Sequence, residues 1–400
     1  MNVTINKSIA RGVVTAPPSK SMAHRALICG ALTEGSVVKN VAYSKDIEAT
    51  LDCLEKMGAF VERCNNTVTI GGLDPFKIPD GLVMSCNESG STLRFLVPLC
   101  LLSDSHITLE GKGRLMERPL IVYEDICNKN GILFERNTSS VSVKGRLKGG
   151  TYSVRGDISS QFITGLLLTL PLLEGDSTLN VVGKFESASY IDLTLSAMSS
   201  FGIEIERKDN VFYIKGGQKY CSAQYTVEGD CSNAAFLEGF NLLGGSVTVE
   251  GIPKDTLQGD GIYRNIYPLL NNNNPTFDIS DCPDLGPVLF ALAAYCGGAV
   301  FTGTARLKIK ESDRAAAMAE ELSKLGISVI VEADSVTVCK GCLCSPKGDL
   351  YGHNDHRIVM ALSLLCSVVG GTIVGAESVS KSYPDYFEVI ESLGIVLVKE

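Results

Sequence analysis

Six times along this chain a polar cap opens an apolar helix, a turn follows, and a β-rich run comes next. The openings are Ser19-Lys20-Ser21, Ser89-Gly90-Ser91-Thr92, Ser159-Ser160-Gln161, Asp230-Cys231-Ser232-Asn233, Asp284-Leu285-Gly286 and Asn354-Asp355-His356. Most lie roughly 70 residues apart, the mark of one structural unit copied along the chain; the fourth copy, 230 to 284, is shorter. Each copy is also expected to carry a second, amphipathic helix that usually stops at a glycine, as in Asp46–Met57 before Gly58, Tyr190–Phe201 before Gly202 and Asp313–Leu325 before Gly326. Glycine suits the left-handed residue that ends a helix. Hairpins follow, as in Ile203–Glu206, Arg207–Asn210, Val211–Ile214, where β-branched and aromatic residues flank a polar turn.

The pattern predicts the order βαβαββ six times. After Glu388–Leu393 and Gly394 only one strand, Ile395–Val398, fits before the chain ends, so the N-terminal strand Val3–Ile5 is expected to complete the sixth copy. Three copies per domain then give residues 19–228 as one domain and 1–18 with 229–400 as the other. The two crossings, near Ala16–Ser19 and Val227–Gly229, would form a hinge.

Composition narrows the function. Four hundred residues, 45% hydrophobic and 20% charged, suit a globular chain with more than one core. A formal charge of −9 argues against nucleic acid or an anionic membrane as partner but leaves room for a small anionic substrate. Met1–Arg11 has no apolar stretch of signal-peptide type, so a cytoplasmic protein whose 14 cysteines are reduced thiols is expected. Cys339-x-x-Cys342-x-Cys344 lacks a fourth metal ligand nearby, and no metal is expected. The uncharged stretch Leu285–Ala305 has the length of a membrane span, but Pro287 and Gly297-Gly298 divide it into a buried helix, a turn and a strand.

The opening helices, such as Phe162–Leu173 and Ile358–Val369, are apolar on every side and belong inside a domain. Their N-termini keep free N–H groups and a partial positive charge. Parallel helices would gather these ends on one face of each domain, and two such faces across a hinge would favour phosphates and carboxylates. Lys20, Arg25, Arg94, Gln161, His356 and Arg357 all lie near helix starts. Cations there oppose the macrodipole and call for an anion.

At these same openings the sequence resembles the 5-enolpyruvylshikimate-3-phosphate synthase family. The resemblance rests on Pro18-Ser19-Lys20-Ser21-Met22-Ala23-His24-Arg25, Asn87-Glu88-Ser89-Gly90-Ser91-Thr92-Leu93-Arg94, Arg114-x-x-x-Arg118-Pro119 and Ser159-Ser160-Gln161-Phe162. It continues through Arg306-x-Lys308-x-Lys310-Glu311-Ser312-Asp313-Arg314, Asn354-Asp355-His356-Arg357 and Lys381-x-x-Pro384-Asp385. These motifs span nearly the whole chain in family order. The fold implied is two α/β domains, each of three βαβαββ units with buried parallel helices and sheets outside, an inside-out α/β barrel. The activity implied is transfer of the enolpyruvyl group of phosphoenolpyruvate to the 5-hydroxyl of shikimate 3-phosphate, with release of phosphate. It needs no metal, cofactor or covalent nucleophile, and the family expectation is a monomer.

Carried over position by position, the resemblance assigns Lys20, Ser21 and Arg25 to the shikimate ring and carboxylate. It assigns Ser159, Ser160 and Ser187 to the 3-phosphate, with Gln161 and Tyr190 along the ring and Lys310 and Asp284 also on this substrate. For phosphoenolpyruvate, Arg114, Gln161 and Lys381 would hold the phosphate and Arg314 and Arg357 the carboxylate, with Lys20 and Gly90 close by. Asp284 resembles the family's base and Glu311 its acid, with Lys20 and His356 as assistants. Glu88, Phe95, Ala188-Ser189 and Arg306 depart from commoner family residues and bear on affinity for glyphosate, the family's inhibitor. The sister enzymes that act on UDP-N-acetylglucosamine carry a cysteine in the loop matching Gly111–Pro119, which has none here. A non-enzymatic repeat scaffold would keep its openings alike, whereas these diverge into different ionisable sets.

Overall fold

The computed structural model describes all 400 residues and contains two compact units. The central unit is Pro18–Glu228; the terminal unit joins Met1–Pro17 to Gly229–Glu400.

The central unit holds three four-stranded sheets of one topology, a parallel pair followed by an antiparallel hairpin. They run Gln224–Thr226, Ser36–Lys39, Thr67–Gly71, Phe60–Cys64; then Leu82–Ser85, Ile107–Glu110, Ser140–Lys144, Leu133–Arg136; then Thr151–Arg155, Ser177–Val182, Val211–Ile214, Glu206–Lys208. In the first sheet the leading strand comes from the far end of the segment, so the last residues of the unit close its first repeat. Burial alternates along strands such as Thr151–Arg155, as it must when one sheet face packs on helices and the other meets water.

The opening helices of this unit are Lys20–Ala31, Gly90–Cys100 and Ser160–Thr169, and nearly every residue in them is buried. Their early turns touch. The Arg25 guanidinium lies 5.2 Å from the Phe95 ring centre, and that of Arg94 lies 4.9 Å from Phe162. The three helices therefore run parallel with their N-termini at one end. The second and third pack backbone to backbone: a β-carbon on Gly165 would stand 2.3 Å from the Arg94 carbonyl oxygen. Only glycine permits that approach.

The expected strand Ile203–Glu206 starts later, at Glu206. Gly202, at φ +80°, and Ile203 instead close the preceding helix, with Ile203 N–H donating to Met198 O at 3.0 Å and Gly202 N–H to Ser199 O at 3.0 Å. This is a glycine-ended cap whose following residue is spent on helix termination.

In the terminal unit, Asn2–Ile5 lies antiparallel between Gly371–Val374 and Leu397–Lys399, with Leu350–Tyr351 at the far side. The start of the chain thus completes the sixth repeat. The fifth repeat is whole, its sheet running Thr276–Asp278, Ala299–Thr302, Ser335–Val338, Val329–Val331. The uncharged stretch divides into helix Gly286–Cys296, two left-handed glycines and strand Ala299–Thr302. No helix is long and apolar enough to cross a membrane.

The fourth repeat corrects the expected sixfold pattern. It has only the parallel pair, Arg11–Thr15 with Ser246–Glu250, and short helical turns over Gly259–Asn271 stand where the other repeats place a longer helix and a hairpin. Strand Ser246–Glu250 consequently lacks its antiparallel neighbour. Asn241 replaces part of it: its Nδ2 donates to Val247 O at 2.9 Å and its Oδ1 accepts Val247 N–H at 2.6 Å. One carboxamide thereby satisfies an edge residue and blunts a strand otherwise open to pairing. Asn241→Leu is expected to cost about 1 kcal/mol through the two lost hydrogen bonds, read as a lower urea midpoint, and to raise the tendency to self-associate in light scattering.

Candidate active site

Each unit gathers polar groups at the N-terminal ends of its opening helices. In the central unit Lys20 starts the first helix, and its Nζ holds Asp46 Oδ2 at 2.8 Å. Arg25, buried, spends four of its five N–H donors on neutral acceptors: Nε on Thr194 Oγ1 at 2.8 Å, Nη1 on the Ser21 carbonyl at 2.6 Å, and Nη2 on Tyr190 O at 3.0 Å and Thr164 Oγ1 at 3.3 Å. Burial brings its pKa down to about 10. One Nη1 hydrogen remains for a ligand.

Arg94 donates to Gln161 Oε1 at 2.6 Å and to Pro119 O at 3.0 Å, and Gln161 Nε2 reaches Ser91 Oγ at 3.0 Å. Ser89 and Ser159 cap their helices by accepting the N–H of Thr92 at 3.2 Å and of Gln161 at 3.3 Å. Ser160 is buried at the start of the same helix as Gln161. Ser187 sits at φ +57°, rare for a residue with a β-carbon, just before helix Ala188–Ser200, and its carbonyl accepts Tyr190 N–H at 3.1 Å.

The two arginines of the Arg114–Pro119 loop part company. Arg114 has its side chain 46% exposed and pairs with Glu117 at 3.2 Å. Arg118 is buried, and a β-carbon on Gly90 would lie 2.8 Å from its Nη1. The guanidinium lies flat against the Gly90 backbone at the start of the second opening helix, and Arg136 props the loop by donating to Arg118 O at 3.1 Å. Arg118, not Arg114, is the arginine that the fold brings to the helix ends. Both belonged to one sequence motif; the proline after Arg118, which pins that end of the loop, was the signal that could have separated them.

Behind these groups runs a buried hydrogen-bonded chain. His24 Nδ1 meets Thr50 Oγ1 at 2.8 Å, Thr50 meets Thr92 at 2.6 Å, and Thr92 donates to Ser89 Oγ at 2.7 Å. Burial first, then the charges of Lys20 and Arg25, hold His24 well below the usual imidazole range. It is a neutral ring at physiological pH.

The terminal unit meets its cations with carboxylates. Arg314, only 1% exposed, donates from Nη1 to Asp284 Oδ1 at 2.8 Å, from Nη2 to Glu311 Oε2 at 2.7 Å and from Nε to Asp355 Oδ2 at 2.8 Å. Asp284 also receives Lys310 Nζ at 3.1 Å and Arg357 Nη2 at 3.0 Å. Asp355, fully buried, caps the sixth opening helix by accepting Arg357 N–H at 2.9 Å, and it accepts Ser312 Oγ–H at 3.0 Å. Lys381, at the end of the turn Ala376–Lys381, donates to Asn354 O at 2.6 Å. His356 begins the helix, buried, with Nδ1 3.8 Å from Asp355 Oδ1. The sequence placed Asp355 in the polar cap of this helix but gave it no part in holding Arg314.

Burial works to raise Asp284, but Arg357, Lys310 and Arg314 overcome it and hold the carboxyl well below the usual range. Asp355 is likewise depressed, burial being outweighed by Arg314. Lys310 is lowered by burial and by Arg314 and Arg306, against the pull of Asp284. The set presents arginine forks suited to a carboxylate, beside the three acids Asp284, Glu311 and Asp355.

Cys342 and Cys344 are exposed, Cys339 is partly so, and the three form no ligand cluster. The one grouping of ligand-type side chains is Glu320, Glu321 and His353, where Lys324 Nζ already lies 2.9 Å from both Glu321 oxygens.

Against known families, the model of EPSP synthase (3-phosphoshikimate 1-carboxyvinyltransferase) matches residues 5–390. The chain belongs to this family. A 3-phosphoshikimate 1-carboxyvinyltransferase of Clostridium kluyveri is 41% identical, covering 98% of this chain and 97% of the relative. One of Clostridium acetobutylicum is 39% identical with the same coverage. Among solved structures, the EPSP synthase of Acinetobacter baumannii shares the fold over 100% of both chains, with a TM-score of 0.79 at 24% identity. The enolpyruvyl transferase NikO of Streptomyces tendae does so over 99% of this chain and 98% of its own, with a TM-score of 0.78 at 16% identity. The fold of this family member is accordingly the two-domain inside-out α/β architecture.

The depressed groups set the response to acid. His24 binds its proton more readily in the unfolded chain, so the stability it supplies is complete above pH ~6.5 and is lost as pH falls below that. Asp284 and Asp355 supply stability that is complete above pH ~4 and is lost on further acidification. Urea unfolding across pH is expected to show both declines, and His24→Gln to remove the upper one.

Proposed function

We infer that this protein transfers the enolpyruvyl group of phosphoenolpyruvate to the 5-hydroxyl of shikimate 3-phosphate, the step that serves aromatic amino acid biosynthesis. Family membership over residues 5–390 carries the reaction; the geometry supports the following roles. In the central unit Lys20, Ser21 and the remaining Arg25 donor take the shikimate ring and carboxylate, and Ser159, Ser160 and Ser187 take the 3-phosphate beside Gln161 and Tyr190. Gly90, Arg114 and Gln161 take the phosphate of phosphoenolpyruvate, and Arg118, buried against Gly90, joins them. In the terminal unit Arg314 and Arg357 fork the phosphoenolpyruvate carboxylate, and Lys381 adds a cation for its phosphate.

The reaction adds the 5-hydroxyl oxygen to C2 while C3 gains a proton; phosphate and a C3 proton then leave the tetrahedral intermediate. Asp284 acts as the base at the hydroxyl and Glu311 as the acid at C3, with Lys20 and His356 assisting. As found, Asp284 is a weak base, because three cations stabilise its charge. A substrate carboxylate forked by Arg314 and Arg357 competes for the same N–H donors. Each donor it takes raises the proton affinity of Asp284, so substrate binding readies the base.

Phosphate release from phosphoenolpyruvate is expected to require shikimate 3-phosphate. Release with UDP-N-acetylglucosamine instead would refute the acceptor, and release with neither would refute the reaction. Within an active enzyme, Arg118→Ala is expected to lower kcat/KM for phosphoenolpyruvate roughly 10- to 100-fold, the loss of a charge-assisted hydrogen bond. Gly90→Ala should raise KM for phosphoenolpyruvate by displacing Arg118.

A further inference from the structure

Helix Arg314–Lys324 carries two buried charged residues seven positions apart, two turns along one face. Arg314 at its start belongs to the set above. Glu321, fully buried, has no part in the proposed chemistry. Its Oε2 accepts the Tyr351 N–H at 3.0 Å, its Oε1 meets His353 Nε2 at 2.8 Å, and Lys324 Nζ lies 2.9 Å from both oxygens. The helix thus grips segment Leu350–Arg357 at two points, through Glu321 upstream and through Arg314 to Asp355 downstream.

Between these grips the backbone is strained. His353 and Asn354 stand at φ +48° and +52°, consecutive left-handed residues other than glycine. Such conformations persist where surrounding contacts over-determine them. Here they turn the Asn354 carbonyl to Lys381 Nζ, at 2.6 Å, and set Asp355 against Arg314 and the N–H of Arg357.

We propose that the Glu321–His353 pair is a positioning device for the phosphoenolpyruvate groups Lys381, Arg314 and Arg357, acting through the Gly352–Asp355 turn. The pair touches no substrate. It fixes the turn whose carbonyl and carboxylate hold Lys381 and Arg314 and whose carboxylate caps the helix start that carries Arg357. The shikimate-3-phosphate groups assigned to the central unit do not hang on this turn, so the effect of breaking the pair is selective between substrates. This inference rests on the functional reading above.

Two substitutions at the partly exposed His353 test it. His353→Asn tolerates the left-handed backbone but is too short to reach Glu321; His353→Gln reaches Glu321 but suits that backbone less. With thermal melting as a check on folding, His353→Asn is expected to raise KM for phosphoenolpyruvate at least about fivefold, roughly 1 kcal/mol of binding, with KM for shikimate 3-phosphate little changed. His353→Gln is expected to recover most of the loss. Normal kinetics in His353→Asn, an equal rise in both KM values, or a larger defect in His353→Gln would each overturn the proposal while leaving the reaction intact. A wild-type protein without shikimate-3-phosphate-dependent release would remove the functional reading, and this one with it.

Discussion

Positive charge buried at the N-terminal ends of helices is unfavourable twice over, through lost hydration and through the helix dipole. This chain accepts that cost at Arg25, Arg94, Arg314 and Arg357, and the way each is compensated separates the two units. Arg25 is met by hydroxyls and carbonyls, which satisfy donors without cancelling charge. Arg314 is met by three carboxylates. The first arrangement leaves a field that favours phosphate. The second stores acids beside cations that an incoming carboxylate can claim.

The packing follows from the same constraint. Helices apolar on all sides must lie inside, so the sheets lie outside them, and one strand face is left to water. Parallel helices then collect their N-termini at one end, where polar side chains are both required and useful. The caps Ser89, Ser159 and Asp355 satisfy backbone donors there. The same residues, or their immediate neighbours, are the groups assigned to ligands.

Much of this was legible in the sequence because repetition and helix caps are local signals. The spacing of openings located the opening helices, and a missing last strand pointed to Val3–Ile5, which indeed pairs with Gly371–Val374 and Leu397–Lys399. What was not legible depends on tertiary contact. The short fourth interval did not say which elements were lost, nor that Asn241 would stand in for a strand. Arg114 and Arg118 share a motif, and the close approach of Arg118 to Gly90 that sets them apart is a tertiary contact. The Glu321–His353 contact joins residues 32 positions apart and follows no motif.

The central claim is that the terminal unit's carboxylates perform proton transfer while other groups bind, and Glu311→Gln isolates it most directly. The amide keeps the shape and an acceptor for Arg314 but cannot deliver a proton as a carboxylic acid does. Calorimetric binding of both substrates to this variant, set against its turnover, is the decisive comparison. The account requires binding of both within a few-fold of the wild type and a fall in kcat of about 10²- to 10⁴-fold, the usual contribution of a positioned acid. Turnover close to the wild type with binding intact would remove Glu311 from the chemistry and contradict the division of labour between the two sets of groups.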